Sequence, residues 1–297
     1  MNYVLTGGAG HITKPVAEQL LNAGHRVTII SRNADNVKDL VAKGAAVATG
    51  SVEDAAFLKE AFKGADAVYL MIPPNFVPEG GWRTYQNKVT DNYINAITSN
   101  NIKKIVVLSS VGAHMGNGAG PVDGLADLEK KLATLTDVNV KFLRPSYFMY
   151  NLFGMIPLIK GMNLMGGNYG NTDEKLALVH TNDIAEAAAE ELLKLDFTGQ
   201  TVRYIAGDER HPNEIAEVLS AAIGKPGIPW VVFSDEQALG GMLQSGLPET
   251  LAQGYTDLGK ALRTGEAQTD YWKHKPVLSK TKLEDFAKEF AGAFNAS

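Results

Sequence analysis

A glycine-rich turn lies near the amino terminus, where Thr6-Gly-Gly-Ala-Gly-His-Ile-Thr13 follows a short β-branched run. A glycine at Gly7 permits a tight turn, and Gly10 lets the backbone approach a pyrophosphate closely. The helix predicted from Pro15 would add free N–H groups and a partial positive charge. This spacing predicts a dinucleotide-binding loop, with a purely structural turn as the alternative. The predicted contacts are Thr6, Gly7, Gly8, Gly10, His11 and Ile12.

The third position of this spacing is Thr13, where a glycine usually lets the helix pack closely on the strand. A β-branched side chain there is expected to push the helix slightly outward. The loop is expected to remain a binding site, with an affinity that depends on how Thr13 is accommodated.

The second predicted strand ends in Ile29-Ile-Ser-Arg-Asn33, about 20 residues beyond the loop, where such sites read the adenosine ribose. An acidic residue would bind the 2′-hydroxyl of NAD there, but no carboxylate occurs before Asp35. Arg32 instead offers a planar guanidinium suited to a 2′-phosphate; a solvated surface arginine is the alternative. The sequence therefore predicts NADP(H) in preference to NAD(H), with contacts at Arg32 and Asn33.

Three more loops follow the next predicted strands, at the carboxyl ends where open α/β sheets bind ligands. The predicted cofactor contacts in these loops are Ser51, Ile72, Pro73, Pro74, Ser109 and Ser110. Lys130, on the following helix, is predicted to reach the cofactor ribose, although a lysine on a helix face is commonly solvated.

The elements that would position these residues alternate regularly through the first half of the chain. The predicted strands are Asn2–Thr6, Arg26–Ser31, Ala45–Thr49, Ala67–Ile72, Lys104–Ser109 and Val140–Leu143. The predicted helices are Pro15–Ala23, Asn36–Ala42, Asp54–Phe62, Thr84–Thr98 and Asp123–Leu135. Such alternation forms right-handed crossovers and a parallel sheet covered on both faces. The predicted fold class is α/β, a doubly wound parallel Rossmann sheet with a smaller, mostly helical carboxyl-terminal lobe.

After Pro145 the alternation weakens. Phe148–Asn171 is rich in glycine and methionine, which suits either a pocket wall or lid, or ordinary core filling. Later predicted elements are a strand at Leu176–His180, a helix at Asn182–Lys194, a strand at Thr201–Ala206, and helices at Asn213–Ile223 and Thr281–Phe290. We expect residues 1–145 to form an NAD(P)-binding domain and 146–297 mainly a substrate lobe, with about 176–206 returning to the sheet.

These motifs together resemble the NmrA-like branch of the atypical short-chain dehydrogenases/reductases. The matching segments are Thr6–Ile12, Ser31–Asn33, Lys104–Ser110, Phe142–Asn151, Val179–Ala185, Gly207–Ala216 and Phe286. Gly124–Leu132 is similar to a helix of the NAD(P)H:quinone oxidoreductases of this branch. The resemblance implies a Rossmann domain, a smaller lobe and a dinucleotide in the cleft between them. It does not imply one function, because the branch includes quinone and azo-dye reductases as well as redox-sensing regulators without catalysis.

Ordinary short-chain dehydrogenases carry Tyr-x-x-x-Lys on the helix after the fifth strand, where Tyr transfers a proton and Lys lowers its pKa. The predicted helix Asp123–Leu135 contains no Tyr. The spacing occurs in this chain at Tyr271–Lys275, far downstream and just before Pro276, which disfavours helix at Lys275. We interpret that pair as a chance match. Alcohol dehydrogenase chemistry is therefore not expected, and epimerase or dehydratase chemistry is disfavoured for the same reason.

Few polar side chains remain near the predicted nicotinamide end. His114, in a glycine-rich loop, is a candidate proton donor, and Tyr147 is a second candidate that could line the pocket. With Asn75 and Asn151 they form the predicted substrate pocket. The alternatives are a surface histidine in a flexible loop and a tyrosine that packs within the second lobe. Asp183 is interpreted as complementing the positive end of its helix.

A quinone-like acceptor takes a hydride readily and leaves a stabilised oxyanion, so it needs no strong positioned acid. The leading hypothesis is an NAD(P)H-dependent oxidoreductase that transfers a hydride to a small conjugated acceptor such as a quinone. The alternative is a non-catalytic NADP(H)-sensing regulatory protein of the NmrA type that signals to a protein partner. The methionine- and aromatic-rich segment Tyr147–Tyr169 favours catalysis, because it suits a flat apolar guest.

The composition narrows the remaining classes. The 297 residues include no cysteine, which excludes disulfides, thiolate nucleophiles and cysteine-ligated metals, and the six histidines show no metal-ligand spacing. A net charge of −5 argues against nucleic-acid and anionic-membrane binding. No window reaches the ~18 apolar residues of a membrane span, and the amino terminus lacks signal-peptide features. We expect a cytoplasmic protein, with a homodimer or a protein partner left open.

Overall fold

The computed structural model describes residues 1–170 and 173–297. Its strands are β1 (Asn2–Leu5), β2 (Arg26–Ser31), β3 (Ala46–Thr49), β4 (Ala67–Leu70), β5 (Lys104–Leu108), β6 (Asn139–Pro145), β7 (Tyr147–Phe148), β8 (Met165–Gly167), β9 (Leu176–Val179), β10 (Gln200–Ile205), β11 (Asp208–Arg210) and β12 (Trp230–Val232). The first six reproduce the predicted strands to within two residues at each end.

The helices follow the same order along the chain. They are α1 (Thr13–Asn22), α2 (Lys38–Ala42), α3 (Ala55–Ala61), α4 (Trp82–Ser99), α5 (Asp123–Leu132), α6 (Ile156–Met162), α7 (Thr181–Lys194), α8 (Pro212–Ala222), α9 (Asp235–Gln244), α10 (Glu249–Arg263), α11 (Thr269–Lys273) and α12 (Leu283–Ala296). Short 3₁₀ helices lie at Ala34–Val37, Ala113–Met115, Gly120–Val122, Met149–Met155 and Glu266–Gln268. No helix in the described part of the chain has both the length and the apolar character that crossing a membrane requires.

Seven strands form the central sheet in the order β10-β6-β5-β4-β1-β2-β3. The neighbours from β6 to β3 pair in parallel, with Tyr3 opposite Val27 on one side and Ala67 on the other. The predicted α/β fold class, a doubly wound Rossmann sheet, is confirmed. Strand order reverses between β1 and β4, and the crevice beyond such a switch point is where these sheets bind ligands.

The chain divides into two compact units, of which the first comprises residues 1–109, 124–144 and 184–203. Its core packs helices onto strands that are buried on both faces, such as β4. Helix α4 contributes Val89, Tyr93, Ala96 and Ile97, which recur at helical spacing and are all fully buried. This stripe fixes the rotation of α4 and therefore which of its other side chains face the carboxyl ends of the strands.

The second unit comprises residues 110–123, 145–183 and 204–297. It contains a three-stranded sheet in the order β11-β9-β7 and the pair β12-β8. The predicted strand at Leu176–His180 is therefore β9 of this small sheet, paired with Tyr147–Phe148 and Asp208–Arg210. The range 176–206 was predicted to return to the central sheet. Residues 184–203 of this range do belong to the first unit, and they include α7 beyond Asp183 and most of β10. A fully apolar run shows that a strand is buried, but it does not specify the sheet.

The methionine-rich segment mainly fills the core of the second unit. Met149, Met155 and Met165 are buried, whereas Met162 at the end of α6 is 61% exposed. Of the two sequence interpretations, core filling describes these side chains better than an open pocket wall. Asn171, at the end of the predicted segment, lies outside the described residues.

The last helix is longer than predicted, because α12 continues to Ala296. Its apolar stripe does not stop at Phe290 but includes Phe294, which is also buried. Phe153 packs on this helix with ring centroids 5.0 Å from Phe286 and 6.0 Å from Phe290. The aromatic contacts hold α12 against the rest of the second unit.

Two carboxylates, the buried Asp183 and the half-buried Glu209, bind the last part of the chain within the second unit. Asp183 accepts hydrogen bonds from the amide and hydroxyl of Thr281 at 3.2 and 2.8 Å, so it does more than complement its helix dipole. Glu209 accepts one bond from the Tyr271 hydroxyl and one from Lys275 Nζ, both 2.6 Å long. The two side chains of the Tyr-x-x-x-Lys spacing, Tyr271 and Lys275, thus both bind Glu209. Burial and the Glu209 charge raise the pKa of the Tyr271 phenol, which keeps it protonated.

We expect Tyr271→Phe to lower the free energy of unfolding by about 1.5 kcal/mol, because Glu209 loses a charge-assisted hydrogen bond. Urea unfolding measures this change. Tyr69→Phe is the matched control, since the buried Tyr69 hydroxyl has no hydrogen-bond partner among the described residues and its removal should cost little. A Tyr271→Phe protein of unchanged stability would contradict the structural role of this pair.

Candidate functional site

A cavity of about 580 Å³ opens in the first unit at the carboxyl ends of β1 to β4. The lining residues that the sequence predicted are Gly7, Gly8, Gly10, Arg32, Ser51, Pro73 and Pro74. The cavity is also lined by Ala9, Ile30, Ser31, Asn36, Gly50, Val52, Glu53, Met71 and Tyr85. The structure therefore brings the glycine loop, the end of β2 and the loops after β3 and β4 around one space.

The glycine loop can form only because Gly7 has no side chain. Its φ is +99°, and an added Cβ would lie 2.6 Å from Thr13 Oγ1 and 2.8 Å from Met71 Sδ. Gly8 also has a positive φ, of +60°. Gly10 differs from both, since a Cβ there would meet only the Gly7 carbonyl oxygen, at 3.4 Å. The absence of a side chain at Gly10 thus keeps the rim of the cavity open without being needed for the fold.

Thr13 packs into the space beside Gly7 at the start of α1. The side chain is buried, and its hydroxyl donates to the Thr6 carbonyl oxygen at 3.1 Å. The space that Gly7 leaves empty is the space that Thr13 uses. The β-branched side chain that was expected to push the helix outward thus bonds the end of β1 directly.

Thr6, His11 and Ile12 do not line the cavity. Thr6 is fully buried, donates to the Met71 carbonyl oxygen at 3.0 Å and accepts from the Met71 amide at 2.7 Å. Ile12 is also buried, whereas His11 is exposed. Thr6 therefore supports the loop from below and has no free side-chain atom to offer a ligand.

Arg32 is an exposed cation at the cavity that is left unpaired. Among the described residues its guanidinium has no hydrogen bond or ion pair, although it lies next to the glycine loop. Every other arginine hydrogen-bonds a side-chain oxygen: Arg26, Arg83, Arg144, Arg203, Arg210 and Arg263. An unpaired guanidinium at the rim is suited to a phosphate that the protein itself does not provide.

The residue that faces the cavity after Arg32 is Asn36, one helical turn beyond the predicted Asn33. The Asn33 side chain accepts from the Asp35 amide at 2.9 Å and caps the short helix Ala34–Val37, which turns it away from the cavity. Capping is a common use of asparagine at this position. Asn36 rather than Asn33 therefore lines the cavity, and the cofactor contact at Asn33 stays a prediction.

Glu53 and Tyr85 form the opposite side of the cavity. Glu53 is paired with Lys88 at 3.1 Å, so its charge is compensated in place. Burial, with Glu53 nearby, raises the pKa of the Tyr85 phenol to about 12, while Arg32 acts in the opposite direction. Tyr85 is therefore neutral near pH 7, and its hydroxyl donates to the Pro73 carbonyl oxygen at 2.9 Å. Ile72, which the sequence assigned to the cofactor, packs into the core beside these residues.

Ser109 is joined to a buried charge cluster. It is 3% exposed, and its hydroxyl donates to Glu129 Oε1 at 2.5 Å. Arg144 forms a forked ion pair with the same carboxylate, with bonds of 3.0 and 2.6 Å. The cluster fixes the end of β5 to β6 and α5. Because the Ser109 hydrogen is committed to Glu129, this hydroxyl can accept a hydrogen bond but has no proton to give.

The remaining predicted residues do not line the cavity. Lys130 is exposed on α5, and Asn75 is half-buried in the loop before α4. Ser110, His114, Tyr147 and Asn151 belong to the second unit; His114 and Asn151 are exposed there. Among the described residues, no group of three possible metal ligands lies together.

Tyr147 is half-buried in an aromatic cluster of the second unit. Its hydroxyl donates to that of Tyr169 at 2.9 Å, and Tyr169 packs edge-on against Trp230 at 5.6 Å. Burial, with Tyr169 adjacent, holds the pKa of Tyr147 well above its usual value, and burial raises that of Tyr169 to about 12. Both phenols are therefore protonated throughout the neutral pH range. The sequence interpretation of Tyr147 as a packing residue describes these contacts.

Comparison with known proteins adds to this geometry. Residues 7–144 match the model of a family described as NAD(P)H-binding. The NAD(P)H azoreductase of Xenophilus azovorans is 26% identical to the chain, and the match covers 99% of each protein. The prediction of a nicotinamide dinucleotide cofactor is confirmed at this level.

Two solved structures share the fold. An NADPH-dependent quinone oxidoreductase from Escherichia coli, complexed with NADPH, has a TM-score of 0.81 at 23% identity and covers 97% of this chain and 99% of its own. A triphenylmethane reductase from a Citrobacter species, complexed with NADP(H), has a TM-score of 0.79 at 21% identity, with the same coverage. At these identities the likeness establishes the fold.

The glycine loop yields a prediction that separates binding from folding. We expect Gly10→Val to leave the unfolding transition unchanged but to abolish NADPH binding in calorimetry, because the valine projects into the space that a pyrophosphate needs. Gly7→Val is the matched control and should lose stability as well, since its Cβ overlaps Thr13 and Met71. Undiminished NADPH affinity in the Gly10→Val protein would exclude this loop as the pyrophosphate site.

Proposed function

We propose that this protein is an NADPH-dependent reductase that transfers a hydride to a small conjugated acceptor such as a quinone, and that it belongs to the NmrA-like branch. The chain is an NAD(P)H-dependent oxidoreductase, the class that its full-length relative shares. The azo-dye and quinone activities of the similar proteins support a conjugated acceptor for this chain too.

The observation that carries the cofactor part of the proposal is the cavity with its unpaired Arg32. The Gly7–Gly10 turn at the start of α1 is suited to the pyrophosphate, and Arg32 is suited to a 2′-phosphate. A carboxylate for the 2′-hydroxyl of NAD is missing beside Arg32, and Glu53 across the cavity is already paired with Lys88. These residues fit NADP(H) better than NAD(H). When bound, the reduced nicotinamide supplies the hydride.

The buried cluster at Ser109 supports an acceptor that needs no strong acid. Helix α5 carries Glu129 where its inner face meets Ser109, and it contains neither Tyr nor the dyad of the ordinary dehydrogenases. Ser109 cannot protonate a reduced acceptor, since its hydrogen is bonded to Glu129. A hydroquinone anion delocalises its charge and can take a proton from water, so this arrangement is sufficient for a quinone but poor for an isolated ketone.

We expect the parent protein to bind NADPH about 10- to 100-fold more tightly than NADH, the factor that one charge-assisted hydrogen bond of ~1.5–3 kcal/mol produces. Arg32→Ala should remove most of this ratio by weakening NADPH alone. Arg26→Ala, at the other end of β2, is the matched control and should leave the ratio intact. Calorimetry with both cofactors measures it, and equal affinities in the parent would refute the assignment.

The reductase proposal is tested by stopped-flow oxidation of NADPH with a panel of quinones, azo dyes and enones. We expect turnover that stays flat from pH 6 to 9, because the proposed acceptor needs no acid from the protein and Tyr147, whose pKa is raised by burial, does not titrate in this range. Tyr147→Phe should change the rate less than tenfold.

The variant His114→Ala separates two roles of His114. A proton donor predicts a loss of about 100-fold in the rate, and a loop residue predicts almost none. Tight NADPH binding without oxidation by any acceptor would leave a cofactor sensor as the better account.

A further inference from the structure

The segment Met71–Pro78 between β4 and α4 contains no charged residue. Its first part, with Met71, Pro73 and Pro74, lines the cofactor cavity. Immediately beyond, Phe76 and Val77 are 59% and 80% exposed. Two consecutive large apolar side chains thus stand in solvent where the wall of the cavity continues into the loop. Single exposed apolar residues are common on protein surfaces, but an apolar tract continuous with a ligand cavity indicates binding.

The loop is held in place from below, so its exposure is not a consequence of a loose chain. The Trp82 indole donates to the Asn75 carbonyl oxygen at 2.6 Å, and the Tyr85 hydroxyl donates to that of Pro73 at 2.9 Å. The Asn75 side chain accepts from the Val77 amide at 3.1 Å, which closes the turn. Both supporting aromatic residues lie in the first two turns of α4. The structure therefore presents Phe76 and Val77 on a fixed base, which lowers the entropy lost when a ligand contacts them.

We propose that Phe76 and Val77 form the apolar surface that binds the acceptor, and that they select for uncharged, flat acceptors. This inference rests on the proposed reductase function and names a specificity site for it. The conjugated ring would lie against Phe76 and Val77, beside the Pro73–Pro74 wall of the cofactor cavity. The first charge after the tract is the exposed Glu79, a carboxylate that disfavours an anionic acceptor in the same place.

The test compares two acceptors of the same ring system, menadione and 1,4-naphthoquinone-2-sulfonate, in steady-state NADPH oxidation. In the double variant Phe76→Ser, Val77→Ser we expect the KM for menadione to rise about tenfold, the effect of losing roughly 60 Å² of apolar contact. The KM for the sulfonate and the Kd for NADPH should change less than twofold. The single variant Phe76→Leu keeps an apolar side chain, so its KM for menadione should stay close to that of the parent protein. Val277→Ser, which removes an equally apolar residue that is 96% exposed in the second unit, should change nothing.

The outcomes separate this inference from the proposed function. A parent protein that reduces menadione, with a double variant that does so at the same KM, would overturn the inference and leave the reductase standing. A matching loss of NADPH affinity in the variant would also overturn it, because the loop would then shape the cofactor cavity. If the parent binds NADPH but reduces neither quinone, the proposed function fails first, and the acceptor surface fails with it. Calorimetry of menadione binding in the presence of NADP⁺ gives a readout that does not depend on turnover.

Discussion

The Thr6 side chain joins β1 to β4 at the one place in the sheet where the strand order reverses. Its hydroxyl bonds both the amide and the carbonyl of Met71, and that carbonyl also accepts from the Tyr93 hydroxyl at 2.7 Å. The neighbouring Gly7 leaves room for Met71 and Thr13 to meet behind the loop. Without this closure the loop would have no fixed base, because the backbone ladder between β1 and β4 ends just before it. The cavity, the start of α1 and the loop after β4 all follow from it.

A second buried group, the Glu129–Arg144 ion pair, fixes the Ser109 side chain at the end of β5. Glu129 and Arg144 are both 8% exposed, and a buried ion pair is retained only when its partners satisfy each other closely, as the forked geometry does here. Because the Ser109 hydroxyl donates its hydrogen bond to Glu129, it is left with acceptor character only towards any other group. The proposed conjugated acceptor fits this arrangement, because such an acceptor stabilises its own negative charge and does not require the Tyr-x-x-x-Lys dyad that α5 lacks.

Much of the first unit could be predicted because its signals are local. Strands buried on both faces are continuous apolar runs, and a glycine turn between a strand and a helix has few other uses. The orientation of Tyr85 depends on packing that the sequence does not encode locally, because the stripe from Val89 to Ile97 sets the rotation of α4. The role of Asn33 is local instead, since it caps the helix Ala34–Val37. Glu129 was visible in principle, as the polar member of an apolar stripe that includes Leu125, Leu128 and Leu132. The sheet to which β9 belongs could not be predicted, because an apolar run indicates that a strand is buried but not which strands it pairs with.

The unpaired state of Arg32 has a consequence for how the protein responds to its ionic surroundings. An exposed guanidinium with no carboxylate beside it is screened by mobile ions over a Debye length of about 8 Å at physiological ionic strength. On the proposed assignment of the 2′-phosphate to Arg32, the attraction between the two weakens as salt is added, whereas contacts made at close range by backbone dipoles of the glycine turn weaken less. The proposed preference for NADPH over NADH would thus depend on the solution as well as on the fold, and it would be greatest in dilute buffer.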